Sequence, residues 1–128
     1  MRNKNGFTSI EMLLVCLLML SVLLFLPAMH QYDRLQLNIA ANKVHQFLLK
    51  HQKNAMYHHK QEQILFSDHQ LHAPNDTLDI HPVHCIGNDY HYTEFGTVSQ
   101  GQTIYLQLHK QHCTLVIQIG SGCLDIRF

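Results

Sequence analysis

Two stretches of the chain share one five-residue pattern, His-x-x-His-Cys: His81-Pro82-Val83-His84-Cys85 and His109-Lys110-Gln111-His112-Cys113. Such soft and borderline nitrogen and sulfur donors suit Zn or Cu. Neither copy lies in a helical pattern, and in a strand His at i and i+3 point to opposite faces. Each copy therefore needs a loop to converge. With 12 His in 128 residues the recurrence can arise by chance. His81, His84, His109 and His112 stand as candidate ligands only, and no metal or other cofactor is assigned. A nucleophilic Cys beside His at His84-Cys85 or His112-Cys113 meets the same obstacle: neighbours in a strand point apart, and no third orienting group is evident. No catalytic set appears, and the chain is not read as an enzyme.

The cysteines admit a simpler reading. Cys85 and Cys113 are the candidate disulfide, which closes a loop of about 30 residues and contributes roughly 3 kcal/mol on the chain-entropy estimate. Pairing of Cys113 with Cys123 is less favoured, because a hairpin centred near Ser121 sets Cys123 opposite Ile119. One of these three remains a free thiol or bridges to another chain. Cys16 sits in an apolar segment and reads as a small apolar side chain.

That apolar segment also holds the carboxylate of Glu11. Residues 7–27 begin with an apolar run, Phe7 to Leu26, of about 20 residues. As a helix it is roughly 30 Å long, enough to cross a bilayer. A charge inside it costs at least about 2.5 kcal/mol at mid-membrane and less toward the edge, so Glu11 calls for a partner. Arg2 and Lys4 before the run favour a cytoplasmic N-terminus. A cleaved secretory peptide fits less well. The run exceeds an ordinary h-region, and Phe25-Leu26-Pro27-Ala28-Met29 lacks a small-residue cleavage site.

Beyond Pro27, which weakens or kinks a helix, Leu37, Ala41, Val44, Leu48, His51 and Ala55 recur at alternating steps of four and three, and Ala40 and Phe47 widen the stripe. The spacing predicts an amphipathic helix to about Tyr57. Lys43, Lys50, Lys53 and Lys60, with four His and no acid, form either a weak basic track for an anionic polymer or a solvated face near a helix C-terminus. After Lys60 the period changes. Gln63–Ser67, Thr77–His81, Thr103–His109, Thr114–Ile119 and Cys123–Phe128 read as strands. Ala73-Pro74-Asn75-Asp76 reads as a turn, 82–89 as a loop, and Gly120-Ser121-Gly122 as a hairpin turn. The expected class is α+β: a long N-terminal helix, its first half membrane-embedded, packed on a small antiparallel sheet. Nine basic and nine acidic side chains balance, so the chain is no general magnet for nucleic acid.

Gly6-Phe7-Thr8-Ser9-Ile10-Glu11, followed by a Leu/Val/Met run, resembles the class III signal sequence of type IV pilins and pseudopilins. The resemblance implies a leader of residues 1–6, cut by a prepilin peptidase between Gly6 and Phe7, with N-methylation of Phe7. It implies that Glu11 meets the N-terminal amine of a neighbouring subunit, so that Phe7 and Glu11 carry assembly. Removing the leader takes away Arg2 and Lys4 and leaves a side-chain balance of −2. Residues 28–128 would be the exported pilin-like domain. Phe95-Gly96-Thr97-Val98-Ser99-Gln100-Gly101-Gln102-Thr103-Ile104 is similar to the Phe-x-x-Gly…Gly-Gly-Thr-Ile segment of pseudopilins, but with shortened spacing and Gln102 in place of the second Gly. The ending Ile119-Gly120-Ser121-Gly122-Cys123-Leu124-Asp125-Ile126 is similar to the family's terminal Gly-x-Gly-plus-strand signature.

Small size, His and Cys usage and this ending look most like minor pseudopilins of Gram-positive competence systems, the ComGD-like group. The implied function is a minor subunit of a competence pilus that supports uptake of extracellular DNA, with direct DNA contact left open. The implied partners are the prepilin peptidase, major and minor pseudopilins and the membrane assembly platform. The implied location is the cell membrane, single-pass, and then the cell surface. A pseudopilin of a type II secretion-like system shares every motif. A His-rich, membrane-anchored metal-binding protein is the more distant alternative.

Overall fold

The computed structural model describes residues 8–128, so Gly6 and Phe7 lie outside the described residues. The protein is α+β. A helix, α1 (Ser9–His58), is followed by β1 (Glu62–Ser67), β2 (Gln70–Ala73), β3 (Asp76–Asp79), β4 (His84–Ile86), β5 (Tyr90–Tyr92), β6 (Gln102–Leu108), β7 (Gln111–Ile117) and β8 (Leu124–Arg127). The chain divides into two compact units, Met1–Tyr32 and Asp33–Phe128.

In the second unit, α1 packs its apolar stripe on the strands. Leu37, Ala40, Ala41, Val44, Phe47, Leu48, His51 and Ala55 are all buried, as their spacing predicts. No Gly or Pro interrupts the chain between Pro27 and the end of α1. The helix stops where His59 turns left-handed (φ 50°) and the Lys60 N–H reaches back to Ala55 O at 3.2 Å. That is the longer of the two hydrogen bonds of a Schellman C-cap.

Two four-stranded antiparallel sheets replace the single expected one, in the orders β3-β2-β1-β5 and β4-β6-β7-β8. The second is the more regular. Ile104, Leu106 and Leu108 of β6 and Cys113, Leu115 and Ile117 of β7 point inward, and the residues between them are exposed or half-buried. The first grows from two-residue hairpins, with Ser67 opposite Gln70 across Asp68-His69 and Ala73 opposite Asp76 across Pro74-Asn75. The stretch expected as a loop at 82–89 contains β4, which pairs with β6.

Gln52 ties the two glycine-bearing stretches to α1. Its Nε2 donates to Gly96 O at 2.8 Å and to Ser121 O at 2.9 Å. Gly122 adopts φ +65°, and a Cβ there would lie 2.7 Å from Gln52 Nε2 and 3.1 Å from Gly96 O, so a side chain would strain this turn and push Gln52 aside.

His51 is the buried polar member of the stripe, 2% exposed. Its Nδ1 lies 3.0 Å from Glu62 Oε2, and its Nε2 lies 3.9 Å from Asp76 Oδ2 without a hydrogen bond. Lys50 Nζ holds the same Asp76 oxygen at 2.6 Å. That hydrogen bond keeps the Asp76 carboxyl below its ordinary range. A carboxyl lowered by folding stabilises the fold above its unfolded-state value and loses that effect as pH falls through the folded one. His51→Ala removes a packed ring and the Glu62 contact together. We expect a loss of about 2–3 kcal/mol, read as a lower urea midpoint for the full chain in detergent micelles. An unchanged midpoint would show that this contact does not help to dock the helix.

Candidate functional site

The start of α1 carries Glu11, one of the two residues that the pilin resemblance marks for assembly; the other, Phe7, lies outside the described residues. Thr8 is the N-cap: its carbonyl accepts the first helical hydrogen bond, from the Met12 N–H at 3.2 Å. The Glu11 N–H donates to Thr8 Oγ1 at 3.4 Å, and the Thr8 N–H donates to Glu11 Oε2 at 3.0 Å. This reciprocal pair is a capping box, in which an N-cap Thr and a Glu three residues on satisfy two otherwise orphaned N–H groups. A negative charge here also complements the helix dipole. Sequence reasoning gave Glu11 a partner in another subunit and overlooked this one in its own chain. The signal was present as Thr8-Ser9-Ile10-Glu11 ahead of an apolar run.

From Ile10 to Leu26 the large apolar side chains are exposed around the helix. Among the described residues, α1 alone is long and apolar enough to cross a membrane. A helix that is apolar all round needs lipid or protein to cover it. Cys16 is exposed within this stretch and packs against no core.

The expected Cys85–Cys113 disulfide is corrected. Both are free and buried. Cys85 lies opposite Leu106 on β6, and Leu106 lies opposite Cys113 on β7. The two cysteines thus share a face but stand two strands apart, roughly 9–10 Å at the usual strand spacing, beyond the Cα separation a disulfide spans. Sequence spacing carried no information about the strand between them. Cys123 is exposed. The β7–β8 register, Ile117 opposite Leu124, places it across from Gln118 rather than Ile119.

The two His-x-x-His-Cys copies build no common donor set among the described residues, although His84 and His109 line one shallow depression. His112 is exposed on β7 opposite Gln107, and His109, at the β6–β7 turn, lies 3.5 Å from Asp33. The first copy instead meets residues that the pattern omitted. At the β1–β2 hairpin tip, Asp68 Oδ1 accepts from His84 Nδ1 at 2.8 Å, and His69 Nε2 lies 3.4 Å from Asp68 Oδ2. The His69 ring lies between His84 and His81, with ring centroids 4.3 and 5.2 Å away. The His84 hydrogen bond holds the Asp68 carboxyl below its ordinary range. Cys85 turns into the core beneath, where burial, with a smaller contribution from the Asp68 charge, pushes its thiol up to about 12.

Of the lysines suggested as a basic track, Lys50 is engaged by Asp76, whereas Lys43 and Lys53 are exposed on α1. No protein-family model matches the chain, and no curated protein or solved structure shows significant similarity to it.

Proposed function

We propose that the chain is a minor pilin-like subunit, a pseudopilin of a competence pilus that supports uptake of extracellular DNA. One observation carries the reading. The motif Gly6-Phe7-Thr8-Ser9-Ile10-Glu11 heads a helix whose next four turns are apolar on every side, and the same helix goes on to bury a narrow stripe against antiparallel sheets. Glu11 caps its own helix, and on this reading it also has a charged partner in a neighbouring subunit.

On this reading the leader is removed between Gly6 and Phe7, Phe7 is N-methylated, and the apolar half of α1 resides in the membrane until assembly. Glu11 neutralises the new terminal amine of a neighbouring subunit. The role is structural rather than catalytic. The prepilin peptidase, the assembly platform and the other pseudopilins are the partners. Deletion of the gene tests it. Transformation by extracellular DNA should be lost and restored by the intact gene, while secreted enzyme levels stay unchanged. Normal transformation with a secretion defect would move the chain to a type II secretion-like system.

A further inference from the structure

We propose that Asp68, His69 and His84 form a binding site for a borderline divalent metal ion, Zn2+ by the chemistry of its donors. Their ligand atoms, one carboxylate oxygen and two imidazole nitrogens, all lie within 4.8 Å of one another. A tetrahedral Zn2+ with N and O ligands at about 2.0–2.2 Å separates its donors by roughly 3.3–3.6 Å. The 3.4 Å between Asp68 Oδ2 and His69 Nε2 falls within that spacing, and the 2.8 Å between Asp68 Oδ1 and His84 Nδ1, a hydrogen bond, is shorter than it by about half an ångström. Small side-chain rotations suffice to converge on an ion.

The backbone holds these residues in place. The Ile80 N–H donates to His69 O at 2.9 Å, and the Cys85 N–H donates to Asp68 O at 2.7 Å. The β1–β2 tip is thereby fastened to the segment that carries His84. His69 Nδ1 lies 3.0 Å from Val83 O. A carbonyl only accepts, so Nδ1 carries a proton, and Nε2, 3.4 Å from Asp68 Oδ2, is the nitrogen left for an ion. A backbone carbonyl that fixes the tautomer of a His is the usual outer partner of a metal ligand. Asp68 and His84 remain open to solvent, with side chains 65% and 51% exposed, so an ion has an entry path. Binding through His84 Nδ1 replaces its hydrogen bond to Asp68 Oδ1 and leaves the ring proton on Nε2.

Three protein ligands leave a fourth position. Asp68 and His84 line a shallow depression together with Ile86, Gln107 and His109, and that depression accommodates a water or an exogenous ligand on the ion. A purely oxygen-seeking ion such as Ca2+ fits the two imidazoles poorly. Cys85 faces the core and is not a ligand.

The experiment is equilibrium dialysis of Zn2+ against the full chain in detergent micelles, with visible spectroscopy after Co2+ substitution. The wild type should bind one Zn2+ per chain at this site. His84→Gln and Asp68→Asn should each weaken it at least about tenfold. His91→Gln and His112→Gln, which replace exposed imidazoles elsewhere, should leave it unchanged. The Co2+ form should show tetrahedral visible bands without thiolate charge transfer. Because His84 and Asp68 are exposed, their variants should keep the wild-type far-UV circular dichroism. Unchanged affinity in both His84→Gln and Asp68→Asn, or a thiolate signature in the Co2+ form, would overturn the assignment.

Discussion

Glu11→Val protein should be cut after Gly6 and reside in the membrane, yet co-purify poorly with other pilin-like subunits, and transformation should fail. The scissile bond lies upstream of the substitution with its neighbours unchanged, so processing continues. Insertion continues or improves, because an apolar side chain replaces a costly one. On the proposed pilin-like reading, association suffers because the Phe7 amine loses its carboxylate, and removing one partner of a buried pair costs about 3–5 kcal/mol. A binding constant then falls by about two to three and a half orders of magnitude.

The capping box sharpens this experiment. Valine removes both the charge and the hydrogen bond from Thr8 N–H to Glu11 Oε2. Glutamine keeps a side-chain acceptor suited to the capping box but has no charge. If Glu11 serves only its own helix, Glu11→Gln keeps the cap and restores assembly, whereas Glu11→Val gives up about 1 kcal/mol of capping. If it pairs with a neighbour's amine, Glu11→Gln fails nearly as badly as Glu11→Val. Crosslinking in cells that express the other pseudopilins reads out both variants. Wild-type heteromeric crosslinks in Glu11→Gln would eliminate charge pairing.

The thiols should divide sharply in reactivity. Cys85 is buried, with its thiol pushed up to about 12. At pH 8 its thiolate fraction is lower than that of an ordinary cysteine by about three orders of magnitude. Burial raises Cys113 as well. Iodoacetamide added to the native full chain should therefore modify the exposed Cys123 first, and Cys85 and Cys113 only after denaturation. Peptide mapping without reductant should recover both as thiols. A bridged Cys85–Cys113 peptide would mean that Leu106 does not lie between them in solution, and so that the β4–β6–β7 register is different.

The long elements were legible because each repeats one physical pattern many times. The stripe from Leu37 to Ala55 was readable from its spacing, and β6 and β7 from their strict alternation. Both turns flanked by Pro or Gly were readable from their residues. The short strands were not. β4 and β5 have three residues each, too few to establish a period, and the sequence around β4 carries the loop-like Pro82 and Gly87. Missing β4 also hid the strand between Cys85 and Cys113, which made their disulfide look reasonable. The Asp68-His69 tip escaped notice for the related reason that β2 buries only one side chain fully, Leu71. His84 was identified, but its partners come from a hairpin that only the fold brings near. Thr8 was read only as part of the signal motif and Glu11 as the partner of a neighbour, and their mutual contact is a local matter that the family pattern drew attention away from.

The most direct measurement is the intact mass of the protein from cells with and without a prepilin peptidase, together with the identity of its first residue. With the peptidase, the chain should begin at Phe7, carry one N-methyl group, and have lost residues 1–6. Without it, or with Gly6 replaced by a bulky residue, the leader should remain. A terminus still at Met1 in peptidase-positive cells would contradict the assignment of this helix to a pilin-like subunit.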